Sequence, residues 1–149
     1  MKNTLLEDIQ VNYFKHAQTI LDSIKNELYE HDRYNVNYSL AIGATNSKLD
    51  MQGFAKLIRE TDKFIILNEH ICCMVFPFTD AAQGIKAASN LLSKFEIRFF
   101  SEKIYIGVVN AQTYETPMKQ IEKLFEILKY AIENGMQNIP LDSTSFEAG

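Results

Sequence analysis

The chain has no tryptophan, three prolines, two cysteines and three histidines in 149 residues, and each scarcity excludes something. Its six glycines stand singly at 43, 53, 84, 107, 135 and 149. No glycine-rich loop is therefore present whose backbone could cradle a phosphate. Cys72 and Cys73 are adjacent, so in a strand they point to opposite faces and cannot bridge each other. They also lack the two-residue gap of a zinc knuckle, and His16, His31 and His70 belong to no ligand motif. Reduced, buried thiols in a cytoplasmic protein are expected, with no metal and no cofactor. Long apolar runs are missing too: Ile71 to Phe78 is too short to cross a bilayer, and the N-terminus turns acidic after Leu5-Leu6, unlike a secretory signal. The net charge is −4 without any Lys/Arg-rich block, which leaves nucleic acid and anionic membrane without an electrostatic footing.

What is present is periodicity. Leu6, Ile9, Tyr13, Ala17, Ile20, Leu21, Ile24 and Leu28 recur at three- and four-residue steps, predicting one long amphipathic helix over about 4–30. Val36, Tyr38, Leu40 and Ile42 alternate with Asn37, Ser39, Ala41 and Gly43, a strand. Asp50 can cap a short helix carrying Phe54, Leu57 and Ile58. Phe64–Leu67 and Ile71–Phe76 flank Asn68-Glu69-His70 as a hairpin that Pro77 ends. Asp80 can cap a helix with Ile85, Ala88, Leu92 and Phe95 on one side. Strand character returns at Ile97–Phe99 and Ile104–Val109. Thr116-Pro117 opens a last helix with Met118, Ile121, Leu124, Phe125, Leu128 and Ile132 inward, closed at Asn134-Gly135. A flexible tail is expected over 140–149. The aromatic residues fall mainly at core spacing; Phe76/Phe78 and Phe99-Phe100 could form part of an exposed patch, with core or sheet-edge packing the favoured reading.

The order helix, strand–helix–strand–strand–helix–strand, helix predicts a single α+β domain over 1–149. Its ferredoxin-like βαββαβ core spans about 34–139, an antiparallel sheet with helices on one face and an extra N-terminal helix.

Three strings resemble the GGDEF domain, the fold of diguanylate cyclases. Arg59-Glu60-Thr61-Asp62, a strand, a turn and CCMVFPF are similar to that family's R-x-x-D, strand, GGDEF turn, apolar strand and Pro. IYIGVV at 104–109 resembles its late strand, and LKYAIENGMQNI at 128–139 its closing helix. NYFKHAQTILDSIKNELYEHDRYNVNYSLAI at 12–42 also resembles the helix and first strand that open the domain, so the resemblance covers about residues 12–139 and implies a bacterial signalling protein with a nucleotide-cyclase fold.

The departures from the family pattern fall on its chemistry. The five GGDEF positions are Asn68, Glu69, His70, Ile71 and Cys72: neither glycine remains, and the acidic pair is His70-Ile71. Glu69 is a carboxylate displaced by one or two positions. The first strand ends in Ala41-Ile42-Gly43-Ala44-Thr45-Asn46, with no carboxylate before Asp50 where the family shares a metal. About a dozen residues then lead to Arg59, too few for the family's substrate-lining helix. The phosphate-binding Lys position is Ile132, and the following Arg position is Met136. Phosphoryl transfer needs metal ions and cations to offset developing charge. The expectation is a catalytically inactive domain, with no catalytic or metal residue.

The retained Arg59 and Asp62 occupy the family's product-binding inhibitory site. The resemblance implies that they could bind cyclic di-GMP, the Arg through phosphate or guanine and the Asp through guanine N–H groups. The bland reading is an i,i+3 ion pair worth a few tenths of a kcal/mol. A protein-interaction module, homodimeric or with another protein and without nucleotide, is the alternative. An active diguanylate cyclase is the least favoured reading.

Overall fold

The computed structural model describes residues 4–113 and 116–144. In chain order they form α1 (Thr4–Ser23), α2 (Lys25–Tyr34), β1 (Tyr38–Ala44), α3 (Met51–Ala55), β2 (Lys63–Ile66), β3 (Ile71–Pro77), α4 (Ala81–Arg98), β4 (Tyr105–Asn110), a turn of 3-10 helix (Ala111–Thr113), α5 (Pro117–Glu133) and β5 (Pro140–Leu141). The five-stranded sheet has the order β2-β3-β1-β4-β5. The β2–β3, β3–β1 and β1–β4 pairs are antiparallel, as a ferredoxin-like core requires, and β5 adds a parallel edge to β4.

The sheet is covered on both faces rather than one. Tyr38, Leu40, Ile42 and Ala44 of β1, with Ile71, Cys73 and Val75 of β3, pack on α1 and α5. Ala41, Cys72, Met74 and Phe76 pack on α3 and α4 with Phe54, Leu92 and Phe95. All seven residues of β1 are consequently buried, including Ser39 and Gly43, which the alternation placed on a polar side. Small residues there let α4 approach closely: a Cβ at Gly84 would overlap Ser39 Oγ. The polar atoms on this face are satisfied internally. Asn110 Nδ2 lies 2.9–3.1 Å from Tyr38 O, Ser39 Oγ and Thr79 O, which share its two N–H groups. Each fully buried Leu or Ile in these layers stabilises the fold by about 1.5–3 kcal/mol.

Three expectations need correction. The single helix over 4–30 is two helices separated at Ile24, whose backbone leaves helical geometry (φ −106°, ψ 19°). Just before it, Thr19 and Ser23 hydroxyls donate to the carbonyls of Lys15 and Thr19, a local competition that bends helices. Ile97–Phe99 is not a strand: α4 continues through Arg98 because Phe95 and Phe99, one helical turn apart, stack together at 5.1 Å and both reach Phe54. Met118 is exposed, and the inward stripe of α5 starts with Gln120 and Ile121.

The chain after α5 is also ordered further than expected. Asn138 (φ 58°) clamps it to the sheet, donating its N–H to Ile104 O at 2.7 Å and receiving Ile104 N–H on Oδ1 at 2.9 Å. Leu141 is then buried beside Gly107 as β5. Residues 145–149 of the expected tail lie outside the described residues.

Gly107 marks the closest approach of α5, since a Cβ there would stand 2.9 Å from Ile127 Cγ2, on a stiff β-branched side chain. Gly107→Ala should therefore destabilise the protein by about 1–3 kcal/mol in urea unfolding, as overpacking does. Unchanged stability would mean that α5 can lift away without cost.

Candidate functional site

The turn between β2 and β3 carries Asn68, Glu69 and His70 and leads into Ile71 and Cys72, the five residues whose sequence was set beside the GGDEF string. Asn68 begins it, and its Oδ1 accepts the N–H groups of His70 (2.7 Å) and Ile71 (2.8 Å). This side-chain cap makes a tight turn without glycine. Glu69 is at the exposed tip, 3.4 Å from Lys48, an ion pair too solvated to contribute much. Ile71 and Cys72 are fully buried, one in each core layer.

This turn is laced to the loop that follows β1. Pairing between β1 and β3 ends at Ala44 and Ile71, but Thr45 N–H continues it by donating to His70 O at 2.9 Å. Leu49 N–H donates to Glu69 O at 3.1 Å. His70 Nδ1 lies 3.2 Å from Thr45 O and 3.1 Å from Ser47 O. A carbonyl can only accept, so Nδ1 carries the proton. Thr45 Oγ1 donates to Ser47 O, and Ser47 Oγ is hydrogen bonded to Glu102. Asp50, the first carboxylate after β1, caps α3 by accepting Gly53 N–H at 3.1 Å. Five residues of α3 are all the helix that separates β1 from Arg59. Among the described residues no group of three His, Cys, Asp or Glu side chains could hold a metal ion.

The same turn is held from its other side by α1. Asn68 Nδ2 donates to Asp8 Oδ2 at 2.8 Å, and Asn12 Nδ2 donates to Asp8 Oδ1 at 2.5 Å. His16, buried and stacked parallel to Phe125, places Nε2 3.5 Å from Asp8 Oδ2. Burial of Asp8 disfavours its charge. The two amide donors and His16 outweigh that and hold the carboxyl below its ordinary value. No sequence pattern pointed to this contact, because Asp8 and Asn68 are sixty residues apart in the chain.

Arg59 and Asp62 lie in the turn after α3 rather than on a helix. They grip each other: Arg59 Nε is 2.9 Å from Asp62 Oδ2, and Nη2 is 2.8 Å from Oδ1. Arg59 N–H donates to Oδ2 at 3.1 Å, and Asp62 N–H donates to Arg59 O at 2.9 Å. The fork raises the Arg59 pKa, chiefly through the hydrogen bonds to Asp62. The Asp62 side chain is only 2% exposed, whereas half of the Arg59 side chain reaches solvent. Arg59 also stands 5.8 Å above the Phe76 ring. It separates two clefts. One of about 350 Å³ has Asp62, Leu57, Asn90 and Lys94 in its walls, and one of about 440 Å³ has Thr61, Phe78, Gln83 and Lys86. The structure thus brings Arg59 and Asp62 together but leaves no open space between them.

The remaining candidates have structural surroundings. Ile132 is buried, and Met136 packs against the same core. Cys72 and Cys73 are free and fully buried; burial pushes both thiols up, Cys73 to about 12, which makes them poor nucleophiles. The aromatic pairs split: Phe76 and Phe99 are buried, while Phe78 and Phe100 are 70% and 84% exposed. Among the described residues no helix is long and apolar enough to cross a membrane.

Taken together, the strand order, the two helical layers and the hairpin are those of a GGDEF domain, the diguanylate cyclase fold. The GGDEF domain of DgcB from Caulobacter crescentus, in complex with c-di-GMP, is 12% identical, with a TM-score of 0.64 over 85% of this chain and 89% of that one. The FimX GGDEF domain from Pseudomonas aeruginosa is 14% identical, TM-score 0.66, covering 85% and 93%. Diguanylate cyclase SiaD of the same organism, in complex with its activator SiaC, is 12% identical, TM-score 0.68, covering 94% and 67%. No protein-family model matches the sequence. No curated protein matches it.

The Asp8 contacts give a pH-dependent prediction. A carboxyl held below its ordinary value of 3.8 stabilises the fold above that pH and ceases to do so as pH falls through its folded value. Asp8→Ala should melt below the wild type at pH 7, with the gap narrowing as the pH drops below 3.8. A gap that stays constant from pH 7 to pH 3 would show that the carboxylate's charge is not what holds the turn.

Proposed function

We propose that this chain is a GGDEF-fold regulatory domain that does not synthesise cyclic dinucleotide. The observation that carries the reading is the lacing of the post-β1 loop onto the β2–β3 turn through Thr45, Leu49 and His70. A cyclase must keep that junction open for a nucleoside triphosphate and its metal ions, with carboxylates aimed into it. Here backbone groups close it, Asp50 is engaged as a helix cap, and Glu69 points to solvent beside Lys48. Incubation with GTP and Mg²⁺ or Mn²⁺, followed by chromatography, should yield no cyclic or linear dinucleotide. A cyclic product that disappears on Glu69→Ala would overturn the proposal.

Arg59 supports a ligand for such a domain, cyclic di-GMP. Its guanidinium is charged, pre-oriented by Asp62 and flanked by two clefts that hold Lys86 and Lys94, which suits an anionic, planar ligand. DgcB, of the same fold, is known in complex with c-di-GMP. Because the Asp62 oxygens are occupied and buried, the contact would run through Arg59 and not through both residues. Cyclic di-GMP should bind at micromolar protein, and Arg59→Ala should weaken binding tenfold or more by calorimetry. Equal heats for the variant would remove Arg59 from the site. The competing reading, a protein partner or a second copy, has its own observation: Val11 and Phe14 of α1 are 79% and 80% exposed.

A further inference from the structure

We propose that Phe78 is a stacking platform for a nucleobase, so that the cleft it shares with Arg59 and Lys86 takes a purine nucleotide, ring on Phe78 and phosphate on the two cations. This rests on the reading of Arg59 as an anion contact, and it adds a residue and a mode of recognition to that reading.

Phe78 has φ 59°, the left-handed region that a bulky side chain rarely adopts. Such a conformation persists only when the surroundings force it. Here Phe78 N–H donates to Asn37 O at 2.8 Å. Thr79 Oγ1 donates to Phe76 O at 2.7 Å, and Thr79 O accepts from Asn110 Nδ2 at 3.0 Å. The chain on both sides of Phe78 is therefore pinned by groups other than its ring. Glycine would adopt this backbone without strain. The phenyl ring gains little in exchange: it is 70% exposed, and no other aromatic ring contacts it among the described residues.

The ring does, however, form part of the cleft of about 440 Å³ described above, a volume suited to a small ligand. Its wall holds two cations, Arg59 and Lys86, and no carboxylate. It also holds two primary amides. Gln83 uses Oε1 to accept Asp80 N–H, which leaves its NH₂ group as a donor, and Asn90 is exposed with both functions available. An exposed π face, paired cations and amides able to read a base edge match a phosphate-bearing heteroaromatic better than a peptide or a sugar.

Binding of cyclic di-GMP and of GMP to the whole chain, measured by calorimetry for wild type, Arg59→Ala, Lys86→Ala, Phe78→Gly, Phe78→Ala and Phe78→Tyr, tests this. Loss of one stacked base costs about tenfold in affinity or more. Phe78→Gly and Phe78→Ala should show that loss, Phe78→Tyr should stay within about twofold, and Lys86→Ala should weaken binding with a smaller salt dependence. Phe78→Gly should also melt above the wild type, because it removes the strain. If the wild type binds, Arg59→Ala weakens binding and Phe78→Gly does not, the stacking proposal falls and the Arg59 reading stands. Binding of GMP without cyclic di-GMP, lost in Phe78→Gly, supports stacking and removes the cyclic ligand. No binding of either nucleotide overturns both, and a lower melting point for Phe78→Gly overturns the argument from strain.

Discussion

Strand β1 has no solvent-facing side, and most of the architecture follows from that. A strand between β3 and β4 with helices on both faces must bury every residue, so its second face can carry only Ser39, Ala41 and Gly43 under α4. Burying Ser39 in turn requires polar partners, which Asn110 and Thr79 supply. These partners pin the chain after β3, where Phe78 is forced into a left-handed conformation. Beyond its last residue, β1 still dictates structure, because its pairing with the hairpin runs on through Thr45. The sheet centre, the strained corner and the closed junction are thus links of one chain of constraint.

The elements with strong periodicity were legible from sequence. Strand β1 itself, the Asp80 and Thr116 caps and the α5 stripe from Ile121 onward occur where the pattern places them. What escaped was set by contacts between distant residues. Helical continuation through Ile97–Phe99 depends on Phe54, more than forty positions away, and the short β5 depends on Asn138 meeting Ile104. A local alternation also cannot reveal how many faces a sheet has covered. At the candidate site, the residue types of the turn, Asn68 to Cys72, could be read directly from the sequence. The mutual grip of Arg59 and Asp62 could not, since the same R-x-x-D spacing serves an open pair and a closed fork equally well.

The hairpin turn receives support from two directions, the post-β1 loop and α1, and both use polar side chains. His70 ties it to Thr45 and Ser47, while Asn68 ties it to Asp8. Its residues thereby connect the N-terminal helix to the sheet. The turn's polar side chains, Asn68, Glu69 and His70, belong to neither core layer.

Cys72 and Cys73 are neighbours in the chain, yet they sit in different layers, one under α4 and the other under α1 and α5. A thiol reagent can reach each only when its own layer separates from the sheet. The protein therefore carries a built-in reporter for each layer, and the relative labelling rates of the two sulfurs distinguish an opening of the α4 layer from an opening of the layer formed by α1 and α5.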